Sequence, residues 1–342
     1  MHAAFFRRHG GPEVMETGEA PEPVAAAGTV IVSVKAVALN HLDLWVRRGL
    51  PGLSLTLPHI GGSDVAGVID EIGAGVEGWT EGDRVVVNPA LWCGACEWCA
   101  RGEHPLCLEF KILGEHVPGG AAERVRVAER NLYRIPDDFD FRVAAAAPLV
   151  FQTAWRALTT RARLKEGETV LITGASGGVS TAAVQIACLL GGRVLAVTSG
   201  TENVRRVREL GADEVFDRLE GDFAARVRDV TAGHGADVVL DSVGEATWDS
   251  CVRSLSRLGR LVTYGATTGP RAALEIRHTF WKQISVAGST MASKAEFETV
   301  MAHVAAGDLN PVIDQVLPLD AIREAHEALE QGRCFGKLVL EP

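Results

Sequence analysis

The chain has 342 residues, with 34 lysines and arginines against 44 acidic residues, 47% hydrophobic residues and a formal net charge of -10. That length exceeds one ordinary hydrophobic core, so two domains of roughly 150 residues are expected. No window approaches the ~18 uninterrupted apolar residues of a membrane span, and no basic block offers a surface to nucleic acid or anionic lipid. The opening MHAAFFRRHGGPE has no apolar stretch of signal-peptide length, so a cytoplasmic location is the expectation.

In chain order, the first ~130 residues are rich in short β-like runs broken by glycine turns. The clearest are 29–37, 65–72, 84–87 and 122–127, separated by GGSD, GAGV and EGD. Inserted among them is CGACEWCARGEHPLC, which places Cys93, Cys96, Cys99 and Cys107 in the pattern C-x2-C-x2-C-x7-C. Four thiolates so spaced can close a tetrahedral shell around a soft divalent ion, and zinc is the usual occupant. A shell with four protein ligands has no open position, so such a zinc holds a loop together and does no chemistry. Two disulfides are the alternative. The other three cysteines, Cys188, Cys251 and Cys334, sit in apolar or mixed contexts and are expected to be reduced.

Near residue 150 the texture changes. Six short apolar runs, TVLITG, RVLAVTS, DEVFD, ADVVLDSVG, GRLVTYG and ISVAGST, alternate with helical stretches at 178–190, 203–210, 222–231 and 246–255. Such alternation implies βαβ units and a parallel sheet covered on both faces. Two more helices, 295–306 and 320–331, precede a last strand, GKLVLE, which is expected to return to the N-terminal unit.

TVLITGASGGVSTAAVQIA reads strand, glycine-rich turn, helix. Gly174, Gly177 and Gly178 sit where backbone must approach a pyrophosphate, and the first helical amides then face that anion. Ser176 and Val179 belong to the same turn, and Gly265, which closes GRLVTYG, is assigned to the same cofactor site. Where the second strand ends, a nicotinamide fold that prefers NAD carries an acid for the ribose diol. Here stand Thr198 and Ser199, with Arg205 and Arg206 one turn on. Hydroxyls and a guanidinium suit a 2′-phosphate, which favours NADP(H) over NAD(H). Alternatively, Arg205 and Arg206 form a solvated helix face and the site is loosely NAD-specific.

With these residues in hand, the chain resembles the medium-chain dehydrogenase/reductase superfamily, which includes zinc-containing alcohol dehydrogenases and quinone oxidoreductases. The resemblance rests on NHLDLWVRRG, GGSDVAGVIDEIGAGVEGWTEGDRVV, the cysteine lobe, GGAAERVRV, the GASGGV turn, LGADEVFD and the closing FGKLVL. It implies an α/β protein with a GroES-like β-rich catalytic domain and a doubly wound Rossmann dinucleotide-binding domain. The catalytic domain would comprise 1–150 and 289–342 with a structural zinc lobe at 93–107, and the Rossmann domain 151–288. The active site would lie in the cleft between them, in a homodimer or homotetramer.

The departures from the family pattern bear on mechanism. The resemblance implies a second, catalytic zinc held by a cysteine just before x-x-Asp, the histidine of Gly-His-Glu, and a cysteine or acid near the domain hinge. These positions read Asn40 in NHLD, Ser63 in GGSD with Asp64 beside it, and Leu149 in PLVFQTAW. Leucine cannot bind zinc and a neutral amide is a poor ligand. The quinone oxidoreductase branch likewise has asparagine at the first position and no catalytic metal. The expected chemistry is hydride transfer between nicotinamide and a carbonyl, enone or quinone. Asn40 and Thr153 would be hydrogen-bond donors to the substrate oxygen, His41 or a water the proton source, and Asp43 a further catalytic-site residue. One alternative is a zinc-dependent alcohol dehydrogenase using His41, Asp43, His59, Glu115 or His116 as substitute ligands. The other is an NADPH-binding protein without a main catalytic role.

Overall fold

A computed structural model describes all residues, 1–342. The chain forms two compact units. One comprises Met1–Leu149, Ala292–Gly307 and Pro311–Pro342, and the other Val150–Met291 with Asp308–Asn310. The resemblance implies divisions at 150/151 and 288/289, within a few residues of these. Residues 308–310 join the second unit partly because the Asn310 backbone exchanges two hydrogen bonds with the Gln185 side chain, at 2.8 and 2.9 Å.

In the first unit the long strand Thr29–Ala38 is central. It pairs antiparallel with Asp64–Ile72 on one side and with Arg124–Ala128 and Lys337–Glu341 on the other. Arg84–Val87 and Leu132–Arg134 extend the sheet beyond Asp64–Ile72. The closing strand GKLVLE thus returns to this unit, with Val339 opposite Ala38. Val30, Val32, Val37, Val65, Ile69, Val85 and Leu338 are in the core, and the register shift between Val34 and Ala36 interrupts the period-two alternation along the central strand. Helix His41–Arg48 follows the central strand directly. Its fully buried Arg47 pairs with Glu330 at 2.7 Å and touches His326 at 3.1 Å, tying it to helix Ile322–Glu330. Burial, and then the neighbouring Arg47, pull His326 down to about 3, so it stays neutral beside the guanidinium.

The second unit is a six-stranded parallel sheet in the order Glu214–Asp217, Arg193–Thr198, Thr169–Ile172, Ala236–Asp241, Leu255–Thr263, Ser285–Gly288. All six apolar runs are strands. The fifth begins at Leu255, where the sequence pattern continues a helix, because Leu255 pairs with Ala236 on the neighbouring strand. The strand order reverses between Thr169–Ile172 and Ala236–Asp241, which opens a crevice at their carboxyl ends. Helix Gly178–Leu189 starts at that edge. No helix of the chain is long and apolar enough to cross a membrane.

Candidate functional sites

The four lobe cysteines converge, with all their sulfurs within 4.8 Å of one another. Cys93 and Cys99 lie 3.9 Å apart, and Cys96 and Cys99 3.6 Å. A tetrahedron with 2.3 Å Zn–S bonds separates its sulfurs by about 3.8 Å, whereas a disulfide needs about 2.05 Å. The disulfide alternative is set aside, and all seven cysteines are free thiols. Backbone amides of Ala95 and Cys96 donate to the Cys93 sulfur at 3.4 Å, and the Cys93 amide donates to that of Cys107 at 3.3 Å. Such N–H groups stabilise thiolates. The donor set fits zinc. It is the one group of three or more His, Cys, Asp or Glu side chains in the chain that could hold a metal ion. His59 instead meets the Gly114 carbonyl at 2.9 Å, and His116 accepts from the Ile112 amide at 3.1 Å.

In the second unit, Gly174, Ser176, Thr198 and Ser199 line a cleft of about 410 Å³ together with Arg218, Asp222, Val243, Thr247 and Arg253. Gly174 takes φ +58°, the left-handed turn that glycine permits. Gly177 is the N-cap of helix Gly178–Leu189, and no side chain caps it. Amides of the first turn, including those of Gly178 and Val179, are left for an anion. The Thr198 hydroxyl is buried without a hydrogen-bond partner, as expected of a polar group built to meet a ligand. These features fit a dinucleotide. Gly265 packs against Ser242, where a Cβ would come 3.0 Å from the Ser242 carbonyl oxygen. It does not line this cleft.

Arg205 is also outside the cleft lining. Its position on the helix, three residues after Glu202 and four before Glu209, commits it to those carboxylates, as expected for i,i+3 and i,i+4 spacing. Sequence reasoning missed Arg218, which donates to Ser199 Oγ at 2.7 Å. The signal was available, because Arg218 directly follows the third strand and so stands at the carboxyl edge of the sheet.

In the first unit, Asn40 is buried beside Asp64 and Lys337. Asn40 Nδ2 donates to Asp64 Oδ2 at 2.9 Å, and Lys337 Nζ lies 2.9 Å from the same oxygen and 2.5 Å from Asn40 Oδ1. The Leu149 amide donates to Asp64 Oδ1 at 2.8 Å, and Ser63 Oγ is buried without a partner. The three positions that the resemblance assigned to zinc ligands therefore do gather around Asp64, but they hold Asn, Ser and Leu, with an ammonium among them. Lys337 belongs to the closing FGKLVL. Its signal was a charge set directly before the apolar run Leu338–Leu340.

Asp43 is buried and accepts from the amides of Asn40, at 2.7 Å, and Gly62, at 2.9 Å. Burial raises its pKa, and the two amides oppose that rise. Both carboxylate oxygens hold the backbone of the site. Gly62 adopts φ +86°, and a Cβ there would meet the Ala121 amide at 2.9 Å. His41 is half-buried, edge-on to Trp45 at 5.1 Å, with its pKa lowered by burial and then by Arg48. Thr153 is a buried residue of the second unit, with Oγ1 3.8 Å from the Met291 sulfur.

A cysteine lobe on a β-rich unit, joined in one chain to a doubly wound unit with a dinucleotide cleft, defines a zinc-type nicotinamide-dependent oxidoreductase. Residues 26–137 match the alcohol dehydrogenase GroES-like domain and residues 178–306 the zinc-binding dehydrogenase domain. The chain belongs to the medium-chain dehydrogenase/reductase superfamily. Quinone oxidoreductase of Homo sapiens is 31% identical over 350 residues, covering 99% of this chain and 97% of the relative. Acryloyl-coenzyme A reductase of Metallosphaera sedula is 32% identical, covering 99% of both. A crystal structure of an NAD-dependent alcohol dehydrogenase superposes with a TM-score of 0.96 at 44% identity over 100% of both chains. These relatives are enzymes acting on small molecules, which sets aside the non-enzymatic alternative.

Proposed function

We propose that this enzyme reduces a carbonyl conjugated to a double bond, an enone or a quinone, without a catalytic zinc. The observation that carries this reading is that Asn40 and the Leu149 amide meet Asp64 beside Lys337, with Ser63 preceding Asp64 in the chain. None of the three is a competent zinc ligand. The relatives named for quinone and acryloyl-coenzyme A reduction support the substrate class. When bound, the nicotinamide supplies the hydride. The chain supplies hydrogen-bond donors to the substrate oxygen, with Asn40 and Thr153 as candidates. Gly174, Ser176, Thr198 and Ser199, which line the cleft, and the helix-start amides of Gly177–Val179 would hold the cofactor, and Arg218 together with the lack of an acid at Thr198 supports NADP(H) over NAD(H). The cysteines would hold one structural zinc. A homodimer or homotetramer is proposed from the family resemblance alone.

The test is zinc per chain in protein purified without chelator, followed by a substrate panel. About one zinc, with turnover of enones or quinones, is the expected result. Two zincs with alcohol oxidation would favour a zinc-dependent alcohol dehydrogenase instead; alcohol is the substrate class in the name of the 44%-identical structure.

Two groups are candidates for delivering the proton. His41, its pKa lowered by burial, is mostly neutral at pH 7. Glu115 follows Gly114, whose Cα carries no Cβ because one would come 2.7 Å from the Gly62 carbonyl carbon. Burial, and then Asp43, push Glu115 up to about 7, and His116 is 3.6 Å away. A carboxyl raised in this way donates only while protonated. The reduction rate should therefore fall as pH rises through about 7, and Glu115→Gln should remove that limb of the kcat profile. An unchanged profile in the variant would return the role to His41 or a water.

A further inference from the structure

Lys337, the charged residue of the closing FGKLVL, reaches the group around Asp64. It opens the strand Lys337–Glu341, where its neighbours Leu338, Val339 and Leu340 are buried, and it is itself 2% exposed. A buried ammonium persists only where hydrogen-bond acceptors meet it. Two acceptors do so, Asp64 Oδ2 at 2.9 Å and Asn40 Oδ1 at 2.5 Å. Asp64 already receives the Leu149 amide on its other oxygen.

We propose that Lys337 and Asp64 form a clamp that locks the Asn40 amide in one orientation, making Lys337 a positioning residue for hydrogen bonding to the substrate oxygen. An ammonium only donates and a carboxylate only accepts. The amide oxygen must therefore face Lys337 and the amide nitrogen must face Asp64, as observed at 2.5 and 2.9 Å. A flipped amide would set NH₂ against NH₃⁺ and a carbonyl oxygen against a carboxylate. The amide nitrogen carries two hydrogens, one committed to Asp64, and the second is the donor kept for substrate. The charged bond to Oδ1 also draws density from the amide and strengthens that remaining N–H as a donor. A fixed donor needs no reorganisation when negative charge develops on the substrate oxygen. Asn40, Asp64 and Lys337 come from three separate segments, so only the folded β-rich unit assembles the clamp.

This inference rests on the metal-free reading above. The competing account is that Lys337 only neutralises Asp64. Four variants separate the two: Lys337→Met, Asn40→Ala, Lys337→Met with Asn40→Ala, and Lys337→Met with Asp64→Asn. Each is assayed for kcat with whichever acceptor the wild type reduces. Zinc content and the binding of reduced cofactor by its fluorescence report whether each has folded.

Lys337→Met is expected to lose kcat about 10²-fold, the scale of losing one preorganised donor, with cofactor affinity unchanged. Adding Asn40→Ala should cost little more, because Lys337 acts through Asn40. Lys337→Met with Asp64→Asn removes both charges, so it should fold even if the single variant does not, and it should stay slow. Recovery of kcat in that double variant would overturn the clamp, as would multiplicative losses from Lys337→Met and Asn40→Ala. Two zincs per wild-type chain would defeat the metal-free reading instead, and that measurement is independent of the coupling among these variants.

Discussion

Thr198→Asp is expected to weaken NADPH binding by about 10²-fold while leaving NADH binding within a small factor. The Thr198 hydroxyl ends the second parallel strand, buried and without a partner, in the wall of the cleft. A carboxylate there would repel a 2′-phosphate, which carries about -1.5 to -2 charges at neutral pH, and would accept from the two hydroxyls of an unphosphorylated ribose. Arg218→Ala should cost NADPH alone about 10-fold or more, since a hydrogen bond to a charged group contributes about 1.5–3 kcal/mol. Arg218 reaches Ser199 at 2.7 Å and no carboxylate pairs with it. Arg253, in the same cleft, is neutralised by Asp222 at 2.6 Å and Asp249 at 2.7 Å. That pairing holds Asp222 down at about 2. Fluorescence titration of both reduced cofactors measures the ratio. An unchanged NADPH/NADH ratio in both variants would mean that the ribose lies elsewhere.

Cys96→Ser is expected to take bound zinc from about one per chain to near zero and to lower the melting temperature. It should leave kcat near the wild-type value in protein that remains folded. A serine hydroxyl is a hard donor that stays protonated, so it cannot replace a thiolate on a soft ion. The amides of Cys99 and Leu108 hold Cys96 down at about 6, so among the four it gives up its proton readily. Losing one ligand of a structural site removes metal-linked folding free energy, which reaches about 10–16 kcal/mol in small zinc domains. The lobe spans only 93–107, and the core of the first unit lies in other segments, so local melting is expected before global unfolding. Metal analysis and a thermal scan of the same sample check both parts. Loss of turnover in a stable, folded variant would contradict a purely structural zinc.

What could be read in the linear chain follows from local rules. Short apolar runs with helices between them announced every strand of the parallel sheet; the central ones, buried on both faces, leave least room for polar residues, whereas the edge strand Ser285–Gly288 is mostly exposed. Thr169–Ile172 is buried at every position. The cysteine cluster was legible because its ligands lie within one short segment. Arg205 was ambiguous because a cation one turn into a helix can serve either a ligand or its own helix neighbours. The sequence offers both, and the fold pairs Arg205 with Glu202 and Glu209.

The amino-acid order by itself determined the superfamily, the four-cysteine lobe, the glycine turn and the identities Asn40, Ser63 and Leu149 at the positions that the resemblance assigns to catalytic-zinc ligands. Each depends on residue identity at short spacing. Only the tertiary structure decided what occupies that place. Lys337 is separated from Asn40 by 297 positions and from Asp64 by 273, and Arg218 meets Ser199 across 19. Pairing of the closing strand with Thr29–Ala38 brings the lysine to the asparagine, and parallel register at Thr198 and Asp217 brings the arginine to the cleft. Burial then makes the lysine consequential, since an ammonium removed from water must orient the groups that receive it.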